Sequence, residues 1–220
     1  MRNRPERVRT SRKRKISSTN WLKRQINDPY VRRAHKEGYR SRAAYKLQQI
    51  HEKFNLLKPG KNIVDLGAAP GGWTQVATEK VLPDQTGCQV ISLDISEMSP
   101  IPGAVILKGD LFDQETLEEL IQKSQNKIDV VLCDMAAPST GHSQTDHLRT
   151  MVLAEVALEV SLEVLSEGGA FVVKVLQGSD EPELFKKMNK YFSKVKRFKP
   201  GASRSDSTEL YIIGQKYKKN

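Results

Sequence analysis

The sequence has no long apolar stretch and very little cysteine. No window in its 220 residues approaches the roughly 18 uninterrupted apolar residues of a membrane-spanning helix, so we expect no membrane segment. The basic N-terminus has no apolar core of the kind found in secretory signals, and we expect a cytoplasmic protein. Cys88 and Cys133 are too few for a disulfide framework and form no CxxC pair, so we interpret both as small buried apolar residues.

Two common nucleotide-binding motifs are also missing. The glycines of the most glycine-rich turn are at positions 67, 71 and 72, which does not match the G-x-G-x-x-G spacing of dinucleotide-binding proteins. No Gly-Lys-Ser/Thr follows a predicted strand, which excludes a P-loop. The four histidines form no metal-binding pattern, so we expect no bound metal. His142 and His147 flank the loop after the fourth predicted strand, and we expect both to face solvent.

The charge of the chain is concentrated at its N-terminus. Lys and Arg total 36 against 26 Asp and Glu, a net charge of +10. Residues 1–46 contain 16 of the basic residues and only three acids, which leaves a net −3 for the rest. Such a cationic segment attracts polyanions through phosphate contacts and counterion release, so RNA or DNA is the favoured partner. A solvated tail and an organelle transit peptide are the alternatives.

The N-terminal third divides into two segments. Residues 1–20 lack apolar periodicity and are predicted to be a disordered basic arm, with order beginning near Trp21. Residues 21–60 are predicted to form a helical RNA-binding segment. Apolar residues recur at helical spacing from position 30 to position 54, which predicts one continuous helix there, and Arg40, Arg42 and Lys46 would give it a basic face.

Residues 61–220 alternate short β-rich runs with longer helical patterns. Several predicted strands are continuous apolar runs, typical of parallel strands covered by helices on both faces. The fold class is therefore α/β, a doubly wound and mostly parallel sheet of seven strands. The segment between the last two strands is too short for a helical crossover, which predicts an antiparallel pair at one end of the sheet. Strands are predicted at 62–66, 89–94, 104–107, 128–133, 170–175, 194–198 and 209–216, and helices at 72–82, 114–125, 147–166 and 181–192.

Polar residues follow the predicted parallel strands, where ligands bind in open α/β sheets. The first strand leads into a turn of small residues at 67–72, and later strands lead to Asp94, Asp110 and Asp134. Any one of these features alone is equally typical of a tight turn or a helix cap. Lys174 lies within an apolar strand, where a charge is costly unless it has a carboxylate partner or a task. Their joint occurrence predicts a ligand site at this edge.

A series of motifs occurs in an order found in one enzyme family. The motifs are DPYVRRAHKEGYRSRAAYKL (28–47), DLGAAPGGW (65–73), Asp94, Gly109-Asp110, CDMA (133–136), FVVKVLQG (171–178) and SRSDSTELYII (203–213). Together they resemble the FtsJ/RrmJ family of S-adenosylmethionine-dependent RNA ribose 2′-O-methyltransferases. The resemblance omits residues 1–27, so it leaves the role of the basic arm open.

The resemblance implies a Rossmann-like class I methyltransferase fold in residues 61–220. It also implies S-adenosylmethionine as cofactor, and methyl transfer from a sulfonium to a hydroxyl needs no metal. The resemblance does not determine the oligomeric state, and we expect a monomer. The similarity is greatest to bacterial members, which methylate a uridine 2′-hydroxyl in the A-loop of 23S RNA in the large ribosomal subunit. The family's functional set falls on Lys46, Asp134, Lys174 and Glu209. We favour a charged or shared-proton Lys174 that orients the hydroxyl over a neutral Lys174 that acts as the base.

The resemblance also assigns residues to the cofactor. It places Gly71 and Trp73 along the methionine part, Asp94 near the ribose hydroxyls and Asp110 near the adenine amine, with Asp134 as a further contact. Trp73 packing the first turn of its helix is the alternative. Tyr211 is predicted to face the same side of its strand as Glu209, where it would stack on a base or belong to the core.

Two other functions stay open at this stage. The same chemistry would serve a 2′-O-methyltransferase that acts on a transfer RNA anticodon loop or on an mRNA cap. A non-catalytic RNA-binding ribosome-assembly factor would keep the fold without the reaction, although the intact set of Lys46, Asp134, Lys174 and Glu209 argues against it.

Overall fold

A seven-stranded sheet with helices on both faces forms the centre of the fold. The computed structural model describes residues 16–125 and 127–219. The strands are β1 (Ile63–Leu66), β2 (Val90–Asp94), β3 (Ala104–Lys108), β4 (Ile128–Cys133), β5 (Leu165–Leu176), β6 (Phe192–Phe198) and β7 (Glu209–Tyr217). Their order in the sheet is β3-β2-β1-β4-β5-β7-β6, and the first five strands in this order are parallel to one another. The predicted α/β class and the mostly parallel sheet are confirmed. The helices are α1 (Ile16–Asn27), α2 (Pro29–Glu37), α3 (Ala44–Phe54), α4 (Gly72–Val81), α5 (Pro83–Thr86), α6 (Gln114–Ser124), α7 (Ser143–Val164) and α8 (Glu181–Tyr191).

The last strand in sequence lies between β5 and β6 and runs antiparallel to both. This confirms the predicted antiparallel pair at one end of the sheet. Lys174 pairs with Tyr211, and Leu176 pairs with Glu209. Residues paired in this way lie side by side on the same face of a sheet. The start of β7 is therefore at the edge where the parallel strands end, beside the end of β5.

The apolar core fills both faces of the sheet. Neighbouring residues of β1 contribute to opposite sides: Ile63 packs with α3 and α4, whereas Val64 packs with α6, α7 and α8. Because both faces are covered, β1 and the inner part of β5 are buried at successive positions. Packing on both faces holds the parallel strands in place, so the residues at the ends of these strands have fixed positions relative to one another.

The continuous helix predicted between positions 30 and 54 is wrong. The structure contains two helices there, α2 and α3, separated by a turn. Asp28 caps α2 by accepting hydrogen bonds from the backbone of Tyr30 and Val31, and α2 ends at Gly38, whose φ of 81° is left-handed. Apolar spacing continues across the break because both helices pack against the same body. The turn between α2 and α3 could therefore not be predicted from the apolar spacing alone.

The predicted arm of residues 1–20 is helical where it is described. Helix α1 begins at Ile16, so order begins before Trp21 and the prediction of disorder is wrong for residues 16–20. Residues 1–15 lie outside the described residues. None of the helices in the described ranges is long and apolar enough to cross a membrane.

Two smaller predictions about single residues need correction. His147 is buried instead of solvent-facing, and its Nε2 lies 3.0 Å from Asp180 Oδ2. Helix α7 begins at Ser143, four residues before the predicted start, and this places His147 on its packed side. His142 is exposed as expected. Cys133 is buried, but Cys88 is partly exposed.

Candidate active site

The turn after β1 is built from small residues because it lies against another loop. Gly67 has a φ of 71°, and a Cβ added to it would overlap the side chain of Met135, which follows β4. A larger residue at Gly67 would therefore separate the first and fourth strands at their ends. The turn then leads to Gly71, which lies just before the first turn of α4. The backbone at 67–69 is left open to a ligand.

Two acidic residues lie beside this turn. Asp94 at the end of β2 accepts hydrogen bonds from the backbone of Ala69 (2.9 Å) and Ser96 (2.7 Å), one on each oxygen. Asp110 accepts one from the backbone of Phe112 at 3.0 Å. A carboxylate oxygen can accept two hydrogen bonds, so both oxygens of Asp94 retain capacity for hydroxyl groups of a ligand.

A cavity of about 770 Å³ extends from the turn to the ends of β4 and β5. Gly67, Asp94 and Asp110 line one side of it, and Asp134 and Lys174 line the other. Its apolar walls were not predicted from the sequence. Ile95 is 67% exposed and Phe112 is 59% exposed, and both border the cavity. The sequence pattern that could have indicated these walls is an apolar residue one position after Asp94 and two positions after Asp110.

Two of the predicted cofactor residues lie away from this cavity. Trp73 is 3% exposed, its indole N–H donates to the carbonyl of Ala43 at 2.8 Å, and its ring lies 5.7 Å from that of Tyr211. A Cβ on Gly71 would contact Ile101 instead of open space. Trp73 therefore makes the packing contacts that the sequence offered as an alternative, and the contacts of Gly71 and Trp73 with the cofactor stay a prediction.

An ion pair closes the opposite wall of the cavity. Lys174 Nζ lies 3.0 Å from Asp134 Oδ1 and also donates to the backbone carbonyl of Asp134. Only 9% of the Lys174 side chain and 15% of the Asp134 side chain are exposed. The lysine in the apolar strand thus has the carboxylate partner that its position required.

A second ion pair lies next to the first. Lys46, in the first turn of α3, donates from Nζ to Glu209 Oε2 at 2.7 Å. The other oxygen of Glu209 accepts a hydrogen bond from Ser203 Oγ at 2.7 Å. The structure therefore brings together all four residues of the predicted functional set, although they are distributed over 164 positions of the chain.

Tyr211 joins the two ion pairs. Its hydroxyl donates to Asp134 Oδ1 at 2.7 Å, and Lys46 Nζ lies 5.8 Å from its ring centroid. Because Tyr211 is fully buried, it cannot stack on a base, and that alternative is wrong. Burial, together with the negative charges of Asp134 and Glu209, raises the pKa of Tyr211 well above its ordinary value. The phenol therefore stays protonated and acts as a constant donor.

Asp134 is held ionised by its neighbours. Burial by itself would raise the pKa of Asp134, but the positive charges of Lys174 and Lys46 and the hydrogen bond from Tyr211 outweigh burial and lower it. The cluster therefore combines a carboxylate that is ionised at neutral pH with two ammonium groups. Such an arrangement can orient a hydroxyl group and balance charge that develops on its oxygen.

The four residues lie between two cavities. Asp134 and Lys174 line the large cavity, whereas Lys46 and Glu209 line a smaller polar cleft of about 230 Å³. A molecule that occupies both would have its middle at the two ion pairs. No group of three or more metal-ligating side chains occurs in residues 16–125 and 127–219.

The arginines just before α3 make hydrogen bonds and ion pairs within the protein, which the side chains of a solvent-exposed basic face would not make. Arg40 lies in the turn before α3 and donates to the carbonyls of Ser99 (2.7 Å) and Pro100 (2.8 Å). Arg42 donates to the carbonyl of Ala202 and pairs with Asp28. The predicted helical basic face is therefore wrong in its geometry, because Arg40 holds a loop and Arg42 borders the polar cleft.

Comparison with known proteins adds to this geometry. Residues 39–217 match the model of the FtsJ-like methyltransferase family. Over 214 residues the chain is 50% identical to Ribosomal RNA large subunit methyltransferase E of Rickettsia bellii (strain RML369-C), covering 96% of this chain and 94% of that one. It is 52% identical to the protein of the same name from Paramagnetospirillum magneticum (strain ATCC 700264 / AMB-1), covering 96% and 88%.

A solved structure is similar as well. A Plasmodium falciparum protein described as a ribosomal RNA methyltransferase superposes with a TM-score of 0.71 at 30% identity, and the alignment covers 81% of this chain and 98% of that one. The central sheet and the cluster of ion pairs thus lie inside the region that these proteins share with the chain.

Proposed function

Since this chain belongs to the FtsJ-like methyltransferase family, we propose that it methylates large-subunit ribosomal RNA. The reaction is transfer of a methyl group from S-adenosylmethionine to the ribose 2′-hydroxyl of a uridine in the A-loop of 23S RNA. The substrate is the RNA within the large ribosomal subunit, and the enzyme acts in the cytoplasm as a monomer.

The position of the two ion pairs supports this proposal most directly. Asp134 and Lys174 border the large cavity, and Lys46 and Glu209 border the polar cleft. A methyl donor in the cavity and a nucleotide reaching in from the cleft would meet at these four side chains. Methyl transfer depends on such alignment, because the attacking oxygen, the methyl group and the sulfur must lie in line at near-attack distance.

The residues around the large cavity fit S-adenosylmethionine. The turn at 67–69 has no side chain larger than a methyl group, Asp94 has spare acceptor capacity for two ribose hydroxyls, and Ile95 and Phe112 offer apolar surface for a base. When bound, S-adenosylmethionine supplies a methyl group on a positively charged sulfur that an oxygen can attack in line. Asp94 and Asp110 would hold it, as the sequence motifs imply.

Lys174 has the geometry of an orienting group. An ammonium has three N–H bonds, and two of them are directed at Asp134, at its Oδ1 and its backbone carbonyl. Among the described residues the third has no competing acceptor, so it is available to the 2′-oxygen. We assign to Lys174 the task of holding this oxygen in line and balancing the negative charge that develops on it.

The other three residues of the set position the lysines and take part in the loss of the proton. Asp134 fixes the ammonium group, and Glu209 keeps Lys46 at the cleft side of the cluster. The 2′-hydroxyl gives up its proton as the methyl group passes from sulfur to its oxygen, and we couple this proton loss to the charged network of Asp134 and Glu209. Tyr211 holds Asp134 in place by its hydrogen bond.

The segment 21–60 would act as part of the RNA-binding surface, because it contributes Lys46 and Arg42 to the cleft. The basic residues of the arm, 1–20, would add attraction that does not depend on RNA sequence. Deleting the arm should therefore flatten the salt dependence of RNA binding and leave cofactor affinity unchanged.

Replacing Lys174 tests the proposed reaction. With labelled S-adenosylmethionine and large subunits from cells that lack the enzyme, Lys174→Ala should slow single-turnover methyl transfer about 100-fold or more, the scale for losing a positioned charge-stabilising group. Cofactor binding should stay within a few-fold, because the lost contact strengthens mainly in the transition state. Lys174→Arg should not restore the rate, since a guanidinium is bulkier and differently shaped.

Lys196→Ala is the matched control, because Lys196 is an exposed lysine in the strand at the sheet edge. A folded Lys174→Ala protein with near-normal transfer would exclude Lys174 from the reaction and favour an RNA-binding assembly factor. Mapping of 2′-O-methyl groups in RNA from cells lacking the protein identifies the substrate. A missing methyl group in a transfer RNA or an mRNA cap, with ribosomal RNA intact, would contradict the proposed target.

Replacing Asp94 tests the cofactor. Asp94→Ala should weaken S-adenosylmethionine binding by about 1–3 kcal/mol, because the ribose hydroxyls lose their charge-assisted hydrogen bonds. Titration calorimetry measures the affinity, and Asp84→Ala, at an exposed acid in α5, is the control. Tight binding of a nicotinamide dinucleotide in place of S-adenosylmethionine would contradict the assignment.

A further inference from the structure

A buried histidine near the start of α7 takes no part in the proposed reaction. His147 is 9% exposed, and its Nε2 lies 3.0 Å from Asp180 Oδ2. Its other ring nitrogen, Nδ1, is buried and has no hydrogen-bond partner among the described residues. An unsatisfied buried nitrogen lowers stability, and an apolar side chain of the same size would fill this position without that cost. The contact with Asp180 is therefore the property that distinguishes His147 from an apolar packing residue.

The loop that follows β5 lies against the face of this ring. We call residues 177–180 the β5–α8 loop. A Cβ added to Gly178 would overlap Cε1 and Nε2 of His147, so a larger residue at this position would push the loop away from α7. Asp180 contacts the edge of the ring, and Ser179 Oγ donates to the same carboxylate oxygen at 2.9 Å. His147 therefore holds the loop by both its face and its edge.

The β5–α8 loop continues directly from the strand that carries Lys174. Lys174 lies two residues before the end of β5 at Leu176. The next backbone N–H, that of Gln177, donates to the carbonyl of Thr208 at 2.9 Å, and Thr208 directly precedes Glu209 at the start of β7. The loop is thus attached to the active-site end of the sheet on one side and to α7 on the other.

The first turn of α7 holds the loop after β4 as well. Asp146, the residue before the histidine, accepts hydrogen bonds from Ser139 Oγ at 2.8 Å and from the backbone and hydroxyl of Thr140, both at 2.7 Å. The start of α7 therefore contacts the loops that follow both members of the Asp134–Lys174 ion pair. Asp146 is partly exposed, so the contact made by the histidine is the one more shielded from water.

We propose that His147 is a positioning residue for methyl transfer. Through Gly178 and Asp180 it fixes the β5–α8 loop, and the fixed loop keeps the last residues of β5, and thus Lys174, in line with the 2′-oxygen. This inference rests on the proposed function. Small displacements of an aligned group slow transfer, but β5 is also held by its pairing with β4 and β7. The expected loss is therefore about tenfold, less than for removing Lys174 itself.

Amide hydrogen exchange tests the contact without reference to catalysis. The reporter is the backbone amide of Gln177, measured by NMR. His147→Leu has a similar size but cannot bond to Asp180, so exchange at Gln177 should become about tenfold faster because the loop opens more often. His147→Gln places an N–H donor within reach of Asp180 and should restore slow exchange. His142→Leu, at an exposed histidine just before the same helix, is the matched control and should leave exchange unchanged.

Two results would overturn the contact. One is an exchange rate at Gln177 that is the same in His147→Leu and wild type. The other is an equal acceleration at Val172 in the middle of β5, which would show a general loss of stability. Asp180→Ala removes the same contact from a side chain that is 46% exposed, so this variant should fold normally and reproduce the effect of His147→Leu.

Transfer kinetics on large subunits test the positioning role. His147→Leu should reduce kcat about tenfold and leave KM for subunits and for S-adenosylmethionine within about twofold, because the contact of Lys174 with the oxygen strengthens mainly in the transition state. His147→Gln should restore kcat to within about twofold of wild type. In a Lys174→Ala background, His147→Leu should have no further effect, since the histidine acts through that lysine. A tenfold loss in both backgrounds would show a general structural role and overturn the inference.

The proposed function and this inference fail separately. If the wild-type protein transfers no methyl group to large subunits, the proposed function is wrong, and exchange at Gln177 still decides whether His147 holds the loop. If the wild type transfers methyl groups and His147→Leu does so at the same rate, the proposed function stands and the positioning role is wrong.

Discussion

Asp65 on β1 and Asp134 at the end of β4 belong to neighbouring parallel strands, and water is largely excluded from both. Asp134 lies among two lysines and a tyrosine donor, whereas Asp65 has hydroxyl groups around it. Thr74 Oγ1 donates to Asp65 Oδ2 at 2.7 Å, and Ser92 Oγ lies 2.9 Å from Thr74 Oγ1. Asp65 Oδ1 has no hydrogen-bond partner in the described ranges.

The pKa values of the two carboxyl groups are consequently shifted in opposite directions. Burial raises the pKa of Asp65 to about 7; the hydrogen bond from Thr74 opposes this, and the charges of Asp134 and Asp94 add to it. At Asp134 burial acts in the same direction, but the nearby cations reverse the outcome. Burial alone therefore does not determine the charge of a carboxyl group here. The type of neighbour does, and of these two carboxyl groups it is Asp134 that keeps a fixed charge at neutral pH.

The largest expected effect comes from removing the charge of Asp134. Asp134→Asn leaves Lys174 without a counter-charge in a buried position, and breaking a buried pair in this way costs about 3–5 kcal/mol of unfolding free energy. Urea denaturation at pH 7 measures it. Asp129→Asn is the control on the same strand, because its pair with Lys61 is more exposed and should contribute no more than about 1 kcal/mol. Equal losses in the two variants would contradict the comparison.

The second prediction concerns Asp65 and pH. Between its ordinary value near 3.8 and about 7, Asp65 keeps its proton in the folded protein and has lost it in the unfolded chain. The folded state therefore binds more protons, and this group makes stability fall as pH rises through that window by about 1.4 kcal/mol per pH unit. Asp65→Asn, which is neutral at every pH, removes this dependence.

The unfolding free energy of Asp65→Asn relative to wild type should thus increase by about 2.5 kcal/mol between pH 5 and pH 8, with the change complete about one pH unit above the folded pKa of Asp65. Urea titrations of both proteins at several pH values give this difference, and other titrating groups cancel because they are common to both. A difference independent of pH would mean that Asp65 is ionised in the folded protein, like Asp134.

The sequence allowed the cluster around Asp134 to be predicted, but not the state of Asp65. Asp134 and Lys174 each follow or end a recognisable apolar strand, so topology places them at one edge. Asp65 lies inside the motif DLGAAPGGW, and its charge depends on Thr74 and Ser92, which no local pattern connects to it. Strand and helix periodicity identified the elements from β1 onward, because burial on two faces leaves a strong apolar signal.

Other features depended on tertiary contacts that the sequence does not encode locally. Gly38 ends a helix in the middle of an uninterrupted apolar period, and Arg40 donates to a loop about 60 positions later. The polar cleft requires Asp28 to meet Arg204 across the whole chain. Each depends on the packing of distant segments, so only the structure could reveal it.

The smallest expected effect tests the tyrosine that distinguishes the surroundings of Asp134 from those of Asp65. Tyr211→Phe removes the phenol that donates to Asp134 Oδ1 but keeps the ring packed against Trp73. Because Lys174 still pairs with Asp134, the loss should be about 1.5 kcal/mol at pH 7, the low end for a hydrogen bond to a charged group. Tyr217→Phe is the matched control on the same strand: its hydroxyl donates at 3.1 Å to the neutral carbonyl of Leu162, so the loss should be about 0.5–1 kcal/mol.

The two tyrosine variants should also differ in their response to acid. The lowered pKa of Asp134 contributes stability that is present above its ordinary value and is lost as pH falls through the folded value. Without the hydrogen bond from Tyr211 the folded pKa of Asp134 rises, so the contribution that Asp134 makes to stability at neutral pH becomes smaller. The destabilisation by Tyr211→Phe should therefore shrink as pH is lowered from 7 to 3, whereas that by Tyr217→Phe should stay constant. Urea denaturation along this pH series decides the matter, and parallel curves for the two variants would show that the phenol does not help to keep Asp134 ionised.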